Sequence, residues 1–307
     1  MKKLSEGRKM FLSVMLIFAA YAAIFIIFDD YDRRAEKPLN EMADWHLLWF
    51  SVVVMVGLAF LLHRYALHMD QRISREQAEK QNLMRRELTQ NIAHELKTPV
   101  ASILGYMETL DDNPQLPTET QRQFIRRSHS QAQRLTALLQ DISTLNRMDS
   151  ASGMIEREQV DVSRLVGDIV EETKLALQQR GMTFHGEGLP QGIVIIGNTS
   201  LIYSIFRNLI DNSISYAGQG AAITLSAIEL NDRWQFTFSD NGAGVAPEHL
   251  PRIFERFYRV DKGRSRSMGG TGLGLAIVKN AIVLHGGSIT ARLSNGGGLA
   301  FDFTLRK

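Results

Sequence analysis

Residues 11 to 28, FLSVMLIFAAYAAIFIIF, contain no charged side chain, a run that a water-soluble core has little use for and a bilayer demands. As a helix rising 1.5 Å per residue the run would extend about 27 Å, close to the thickness of the hydrocarbon layer. A second uncharged run, Leu47 to Leu62, is extended by Trp45 and His46, and Trp45 and Trp49 sit where interfacial anchors belong. Lys2, Lys3, Arg8 and Lys9 precede the first run, and His63, Arg64, Arg72 and Arg75 follow the second. That distribution of basic residues predicts two transmembrane helices, 11–28 and 45–62, with both termini in the cytoplasm and lipid as a partner. The basic start and Ala20-Tyr21-Ala22 imitate a cleavable leader, but the apolar region exceeds a usual leader core, so an uncleaved anchor is expected. Residues 29–44 then form a short extracytoplasmic loop, too small to bury a core, whose Asp29, Asp30 and Asp32 read as a solvated cluster near headgroups.

Composition narrows the remainder. With 44% hydrophobic residues, 22% charged residues and a net charge of +2, the chain is neither disordered nor a polybasic nucleic-acid binder. It has no cysteine, which excludes disulfides, thiol nucleophiles and thiolate metal sites.

Met69 to Leu88 is rich in Gln, Glu, Lys and Arg and lacks Gly and Pro, which suits a helix, and residues 63–82 read as a helical connector. Over 83–150, apolar residues at Met84, Leu88, Ile92, Leu96, Val100, Ile103, Met107 and Leu110 define one stripe, and DDNPQLP then breaks the helix. Ala132, Leu135, Leu138, Leu139, Ile142, Leu145 and Met148 define a second stripe, so the segment is a helical hairpin. Two helices with one stripe each cannot enclose a core. Pairing two copies into a four-helix bundle does, and predicts a homodimer. His94 lies about 200° from both Ile92 and Leu96, opposite the stripe, with Thr98 one turn on along the same face. A neutral imidazole is available as a nucleophile at pH 7, and a neighbouring carboxylate can hold its other N–H.

From 151 to 307 strands and helices alternate. Ile155 to Val160, Met182 to His185, Ile193 to Ile196, Ile223 to Leu230 and Arg233 to Ser239 read as strands, and Val162 to Gln179 and Thr199 to Tyr216 as helices. Asn208 and Asn212 sit one turn apart inside a helix, where amides are mildly unfavourable, and their oxygens suit a Mg²⁺ ion that bridges phosphates. Asp240-Asn241-Gly242-Ala243-Gly244 combines a carboxylate with glycines that let backbone approach a flat ligand. Gly269-Gly270-Thr271-Gly272-Leu273-Gly274-Leu275 opens a helix and presents free backbone N–H groups to phosphate. No Walker-type G-x-x-x-x-G-K-[ST] run occurs.

In their order, these strings resemble the membrane-bound sensor histidine kinases of bacterial two-component systems. His94-Glu95-Leu96-Lys97-Thr98-Pro99 looks like the phosphoacceptor box, Asn208 to Asn212 the N box, Asp240 to Gly244 and Gly269 to Leu275 the two glycine boxes, and Ile253 to Arg259 the phenylalanine box. The resemblance implies a multidomain chain: two transmembrane helices, a dimeric hairpin domain and an α/β sandwich that binds ATP. It also implies that His94 is phosphorylated from ATP, that Glu95 is a general base, and that Thr98 serves dephosphorylation of a response regulator, the partner that receives the phosphoryl group. Asp240 would meet the adenine amino group, Asn212 would be the main Mg²⁺ ligand and Tyr216 would lie beside the base. Asn208, Gly242, Gly244, Gly270, Thr271, Gly272, Leu273 and Gly274 complete the implied nucleotide site, with Arg259, Lys262 and Arg264 in a lid against the triphosphate. Ser215 departs from the pattern, since relatives often carry a basic residue there. The rival readings are a Bergerat-type ATPase that does mechanical work, which needs neither His94 nor the spans, and a receptor with a degenerate kinase domain. The implied location is the bacterial inner membrane.

Overall fold

The computed structural model describes residues 41–150, 156–260 and 270–307, with a few isolated helical positions before 41. It divides into two compact units, one ending at Glu87 and the other comprising Leu88–Lys307. The first helix, α1, is Glu41–Asp112. In the first unit α1 displays Val54, Val56, Leu58, Phe60 and Leu61, all exposed. Among the described residues no helix is long and apolar enough to cross a membrane. The expected span 11–28 falls largely outside those residues, and so do the side chains of 41–50 at the start of the expected span 45–62.

The second unit opens with a hairpin of the remainder of α1 and α2, Thr118–Ser150. Leu116 N–H donates to Asn113 O at 3.2 Å to close the turn, and the Gln121 amide caps Leu116 O at 2.8 Å. Tyr106 and Phe124 stack across the pair, with ring centroids 5.5 Å apart. Helix α1 continues through Pro99, whose side chain is buried. Within a single protomer the two expected stripes are only partly covered. Leu138, Leu145 and Met148 are buried within the protomer, whereas Val100, Met107 and Leu139, placed on the same stripes, are exposed together with Leu104 and Ile125. The apolar arc on each helix is wider than one neighbour covers, so its outer flank remains bare.

The α/β part follows. A two-stranded ribbon pairs β1 (Glu158–Asp161) antiparallel with β3 (Val194–Gly197). The main sheet contains β2 (Thr183–Gly188), β4 (Ala222–Glu229), β5 (Arg233–Asp240), β6 (Ile289–Leu293) and β7 (Leu299–Arg306), in the order β2-β4-β5-β7-β6. Among the described strands of this sheet, β2 and β4 pair parallel and the others antiparallel. Helices α3 (Val162–Gln179), α4 (Thr199–Tyr216) and α5 (Gly274–Leu284) complete it. Asp161 ends β1 because its side chain accepts from Arg164 N–H at 3.0 Å and caps α3; of the expected strand 155–160, residue 155 lies outside the described residues and pairing starts at Glu158. Strand β5 alternates, with Trp234, Phe236, Phe238 and Asp240 inward. Phe206 of α4 packs on Phe236 and Phe303 at 5.6 and 5.9 Å, and these two stack at 5.1 Å.

Candidate nucleotide site and its contact with the histidine helix

Alternation along β5 carries Asp240 to the buried face at the strand's end. Its carboxylate accepts hydrogen bonds from Ser213 Oγ (3.0 Å), Gly242 N–H (3.0 Å) and Leu299 N–H (3.3 Å). A carboxylate has about four acceptor positions, so one remains for an incoming N–H donor. Gly242 passes so near α4 that an added Cβ would lie 2.3 Å from Ala217 O, so no other residue fits. Gly244 lies beside Gly298 at the end of the same loop. Ser213, a buried hydroxyl in α4, escaped the sequence reading; its signal was its place next to Asn212 among apolar residues.

On α4 the Asn208 amide donates to Ser204 O at 2.7 Å and turns Oδ1 toward α5, where a Cβ on Gly274 would come within 2.6 Å of it. The helix carrying the amides and the one opened by the glycine-rich loop therefore touch. Asn212, half-buried one turn on, makes no side-chain hydrogen bond among the described residues and has its oxygen available to a hard cation. Tyr216 is exposed at the end of α4 and Ser215 is half-buried. Lys262 and Arg264 lie outside the described residues, as does Gly269.

Gly270, Thr271, Gly272 and Leu273 precede α5 and meet the hairpin. Thr271 Oγ1 donates to Asp141 Oδ2 at 2.7 Å and accepts from Leu273 N–H at 3.2 Å. Burial raises the Asp141 pKa; the Thr271 bond opposes this and the nearby Asp211 charge adds to it. Arg259 is nearly enclosed, its side chain 6% exposed, and donates to Gly270 O at 2.6 Å and to Glu95 Oε2 at 3.1 Å. Arg134 of α2 reaches the same Glu95 oxygen at 3.1 Å. The carboxylate adjoining His94 is thus held by two guanidiniums, one from each part of the unit. Arg256 grips Asp149 with two bonds of 2.8 and 3.0 Å. Phe257 adopts φ 63°, costly for an aromatic residue, and lines a small crevice with Leu88, Ile92, Ile142, Leu145 and Leu273. His94 itself is exposed, and Thr98 Oγ1 donates to its carbonyl at 3.2 Å. The hairpin contacts made by Asp141, Arg134 and Asp149 are long-range pairings with no sequence signature.

Residues 84–151 match the His Kinase A (phospho-acceptor) domain, and residues 197–307 match the family of histidine kinase-, DNA gyrase B- and HSP90-like ATPases. The chain belongs to the sensor histidine kinases. It is 34% identical over 221 residues to the sensor-like histidine kinase SenX3 of Mycolicibacterium smegmatis, a match covering 72% of this chain and 56% of that one. The chain thus spans about half the length of the curated relatives it matches. The solved Acinetobacter baumannii histidine kinase AdeS superposes with a TM-score of 0.57 at 24% identity, over 69% of this chain and 97% of that one. Histidine kinase ThkA, solved in complex with response regulator protein TrrA, gives 0.59 at 18% identity, over 78% of this chain and 66% of that one. At these identities the two structures establish a shared fold. The phospho-acceptor match disfavours a mechanical ATPase without histidine chemistry, and the ATPase-domain match over residues 197–307 supports ATP binding there.

Proposed function

We propose that this kinase transfers the γ-phosphoryl group of ATP to His94 and then to an aspartate of a separate response regulator. The observation that carries the reading is the ion pair from Arg259 to Glu95: it joins the loop region of the ATP-binding domain to the residue beside the exposed imidazole. The imidazole lone pair forms a bond to the γ-phosphorus as the bond to the bridging oxygen breaks, and ADP departs with that electron pair. Glu95 takes or holds the proton of the other ring nitrogen. In the docked arrangement it is neutralised by Arg134 and Arg259, so this role requires that at least Arg259 release it. Asp240, Ser213 and Gly242 form the seat for the adenine amine, with Tyr216 beside the base. Asn208 and Asn212 would hold Mg²⁺, which supplies charge neutralisation between phosphates when bound. Gly270 to Gly274 would receive the phosphates, with Lys262 and Arg264 as further cations of the lid. Thr98, one turn from His94, would orient water toward a regulator's phospho-aspartate.

The uncharged runs 11–28 and 45–62, and the bare apolar side chains of α1 between Val54 and Leu61, support anchoring in a bacterial inner membrane with both termini inside. The exposed outer flank of the hairpin supports a homodimer. Incubation with γ-labelled ATP tests the chemistry: wild type should acquire acid-labile, alkali-stable label and His94→Gln none, with nucleotide binding unchanged. Label retained in His94→Gln would overturn the assignment. Thiol labelling in spheroplasts tests topology, with Lys37→Cys expected to react and Ser152→Cys to stay protected.

A further inference from the structure

His285 caps the C-terminal end of α5 in the buried interior, 5% exposed, at the opposite end of that helix from Gly274. Its partners fix its state. Nδ1 faces Ala281 O at 2.7 Å, which can only accept, so Nδ1 carries the proton. Nε2 lies 3.0 Å from Asn198 N–H, which can only donate, so Nε2 offers its lone pair. Burial, together with the Arg157 guanidinium beside it, pushes the imidazole pKa down and keeps the ring neutral.

Asn198 is the N-cap of α4. The bond from its N–H therefore ties the beginning of α4 to the end of α5. The pair already meets at a second place, where Asn208 Oδ1 faces Gly274. From Asn198 to Asn208 is about 15 Å along α4, and from Gly274 to His285 about 16 Å along α5, at 1.5 Å per residue. The matching lengths describe two antiparallel helices that meet at two levels: Asn208 lies against the glycine-rich opening at one, and His285 accepts from Asn198 at the other. The chain also makes room for that ring. A Cβ on Gly197 would stand 2.6 Å from His285 Cδ2 and 2.7 Å from Nε2.

We propose that His285 is a positioning residue for the nucleotide: by accepting the Asn198 N–H it sets the register of α4 on α5 and so aims Asn208 and Asn212 at the phosphate-binding end. The inference rests on the reading of α4 and α5 as the nucleotide site. Helix α4 does not depend on His285 to form, because Asn198 Oδ1 caps Leu201 N–H at 3.1 Å and Ile202, Ile205 and Leu209 are fully buried. Loss of the imidazole acceptor should thus leave the fold and disturb the aim.

Calorimetric binding of Mg·AMPPNP to the full chain in detergent tests this, with circular dichroism confirming that each variant is folded at the temperature used. If wild type binds no AMPPNP, the nucleotide reading itself fails. Given wild-type binding, His285→Leu, which strands the Asn198 N–H, should bind about tenfold more weakly. His285→Gln, whose Oε1 can stand near the Nε2 position, should bind as wild type does. His285→Asn keeps a donor for Ala281 O and lacks the distal acceptor, so it should follow Leu. Gly197→Ala, which crowds the ring, should weaken binding in the same direction. Unchanged affinity in a folded His285→Leu would overturn the proposal. So would a loss in His285→Gln as deep as in Leu, since packing and not the hydrogen bond would then be responsible.

Discussion

The hairpin and the α/β part spend their apolar residues differently. In the α/β part Phe206, Phe236, Phe238, Phe301 and Phe303 are all fully enclosed by their own chain. On the hairpin, Leu104 and Leu139 remain 54% and 51% exposed, beside Val100, Met107 and Ile125. A domain that closes its own core can dock and undock as a body, which suits a nucleotide carrier. A domain that leaves a continuous apolar flank is finished only by another surface, and its bundle becomes rigid when that surface arrives.

The sharpest break of this comparison is charge placed on the bare flank. Leu104→Asp with Leu139→Asp should convert the dimer to a monomer in light scattering and abolish His94 labelling, with AMPPNP affinity unchanged. Leu175→Asp, equally apolar and 66% exposed but on α3 of the self-sufficient part, should do neither. A double variant that stays dimeric would show that the flank is covered by something else.

Next in size is Phe236→Ala, which removes a ring packed between Phe206 and Phe303 and should cost about 3–5 kcal/mol. Urea unfolding followed by tryptophan fluorescence reads it, in a Trp45→Phe, Trp49→Phe background that leaves buried Trp234 as the reporter. A loss under about 1 kcal/mol would mean that the aromatic cluster relaxes around the gap and that this part is less self-sufficient than its burial implies.

The same contrast governs what could be read in the sequence. Helices α3 and α4 run from Val162 to Gln179 and from Thr199 to Tyr216 as their periodicity indicated, because each buries one face on a sheet that shares its chain. Strand ends were less legible. Strand β2 continues to Gly188 through an irregularity after His185, set by pairing with β4 rather than by local pattern. The division of the hairpin stripes into covered and bare flanks was hidden, since periodicity reports an apolar face without saying how many neighbours it meets. Glycine boxes and paired asparagines were visible because their spacing is local. Arg134, Asp141 and Asp149 were not, since their partners Glu95, Thr271 and Arg256 lie 39, 130 and 107 residues away.

A moderate, selective effect is expected at Thr98 on the hairpin's exposed face. Its hydroxyl bonds His94 O in the docked state, a contact that water or a docked regulator can exchange. Thr98→Ala should leave His94 labelling within a few-fold of wild type and prolong the lifetime of a phosphorylated regulator. Parallel loss of both activities on one preparation would show that the bond to His94 O supports the helix and nothing more.

The smallest effect concerns the seam between the two parts. Asp141 has its pKa raised above the ordinary carboxylate value by burial beside Thr271, with the charge of Asp211 adding to it. A carboxyl group whose folded-state pKa is raised favours the folded, docked form at low pH. That contribution is fully present below the unfolded value of about 3.9 and is lost as pH rises through the raised folded value. Asparagine stays neutral throughout and still offers an oxygen to Thr271 Oγ1. Asp141→Asn should therefore match wild type near pH 4 and exceed it at pH 7 by at most about 1 kcal/mol in denaturation, because the group is only half-buried. It should also slow amide hydrogen exchange at Leu273, whose N–H donates to the Thr271 hydroxyl that Asp141 orients. Greater stability near pH 4 than at pH 7, absent from Asp141→Asn, would fit the seam as described. The reverse slope would mean that Asp141 is paired with a cation in solution and that the two parts meet differently there.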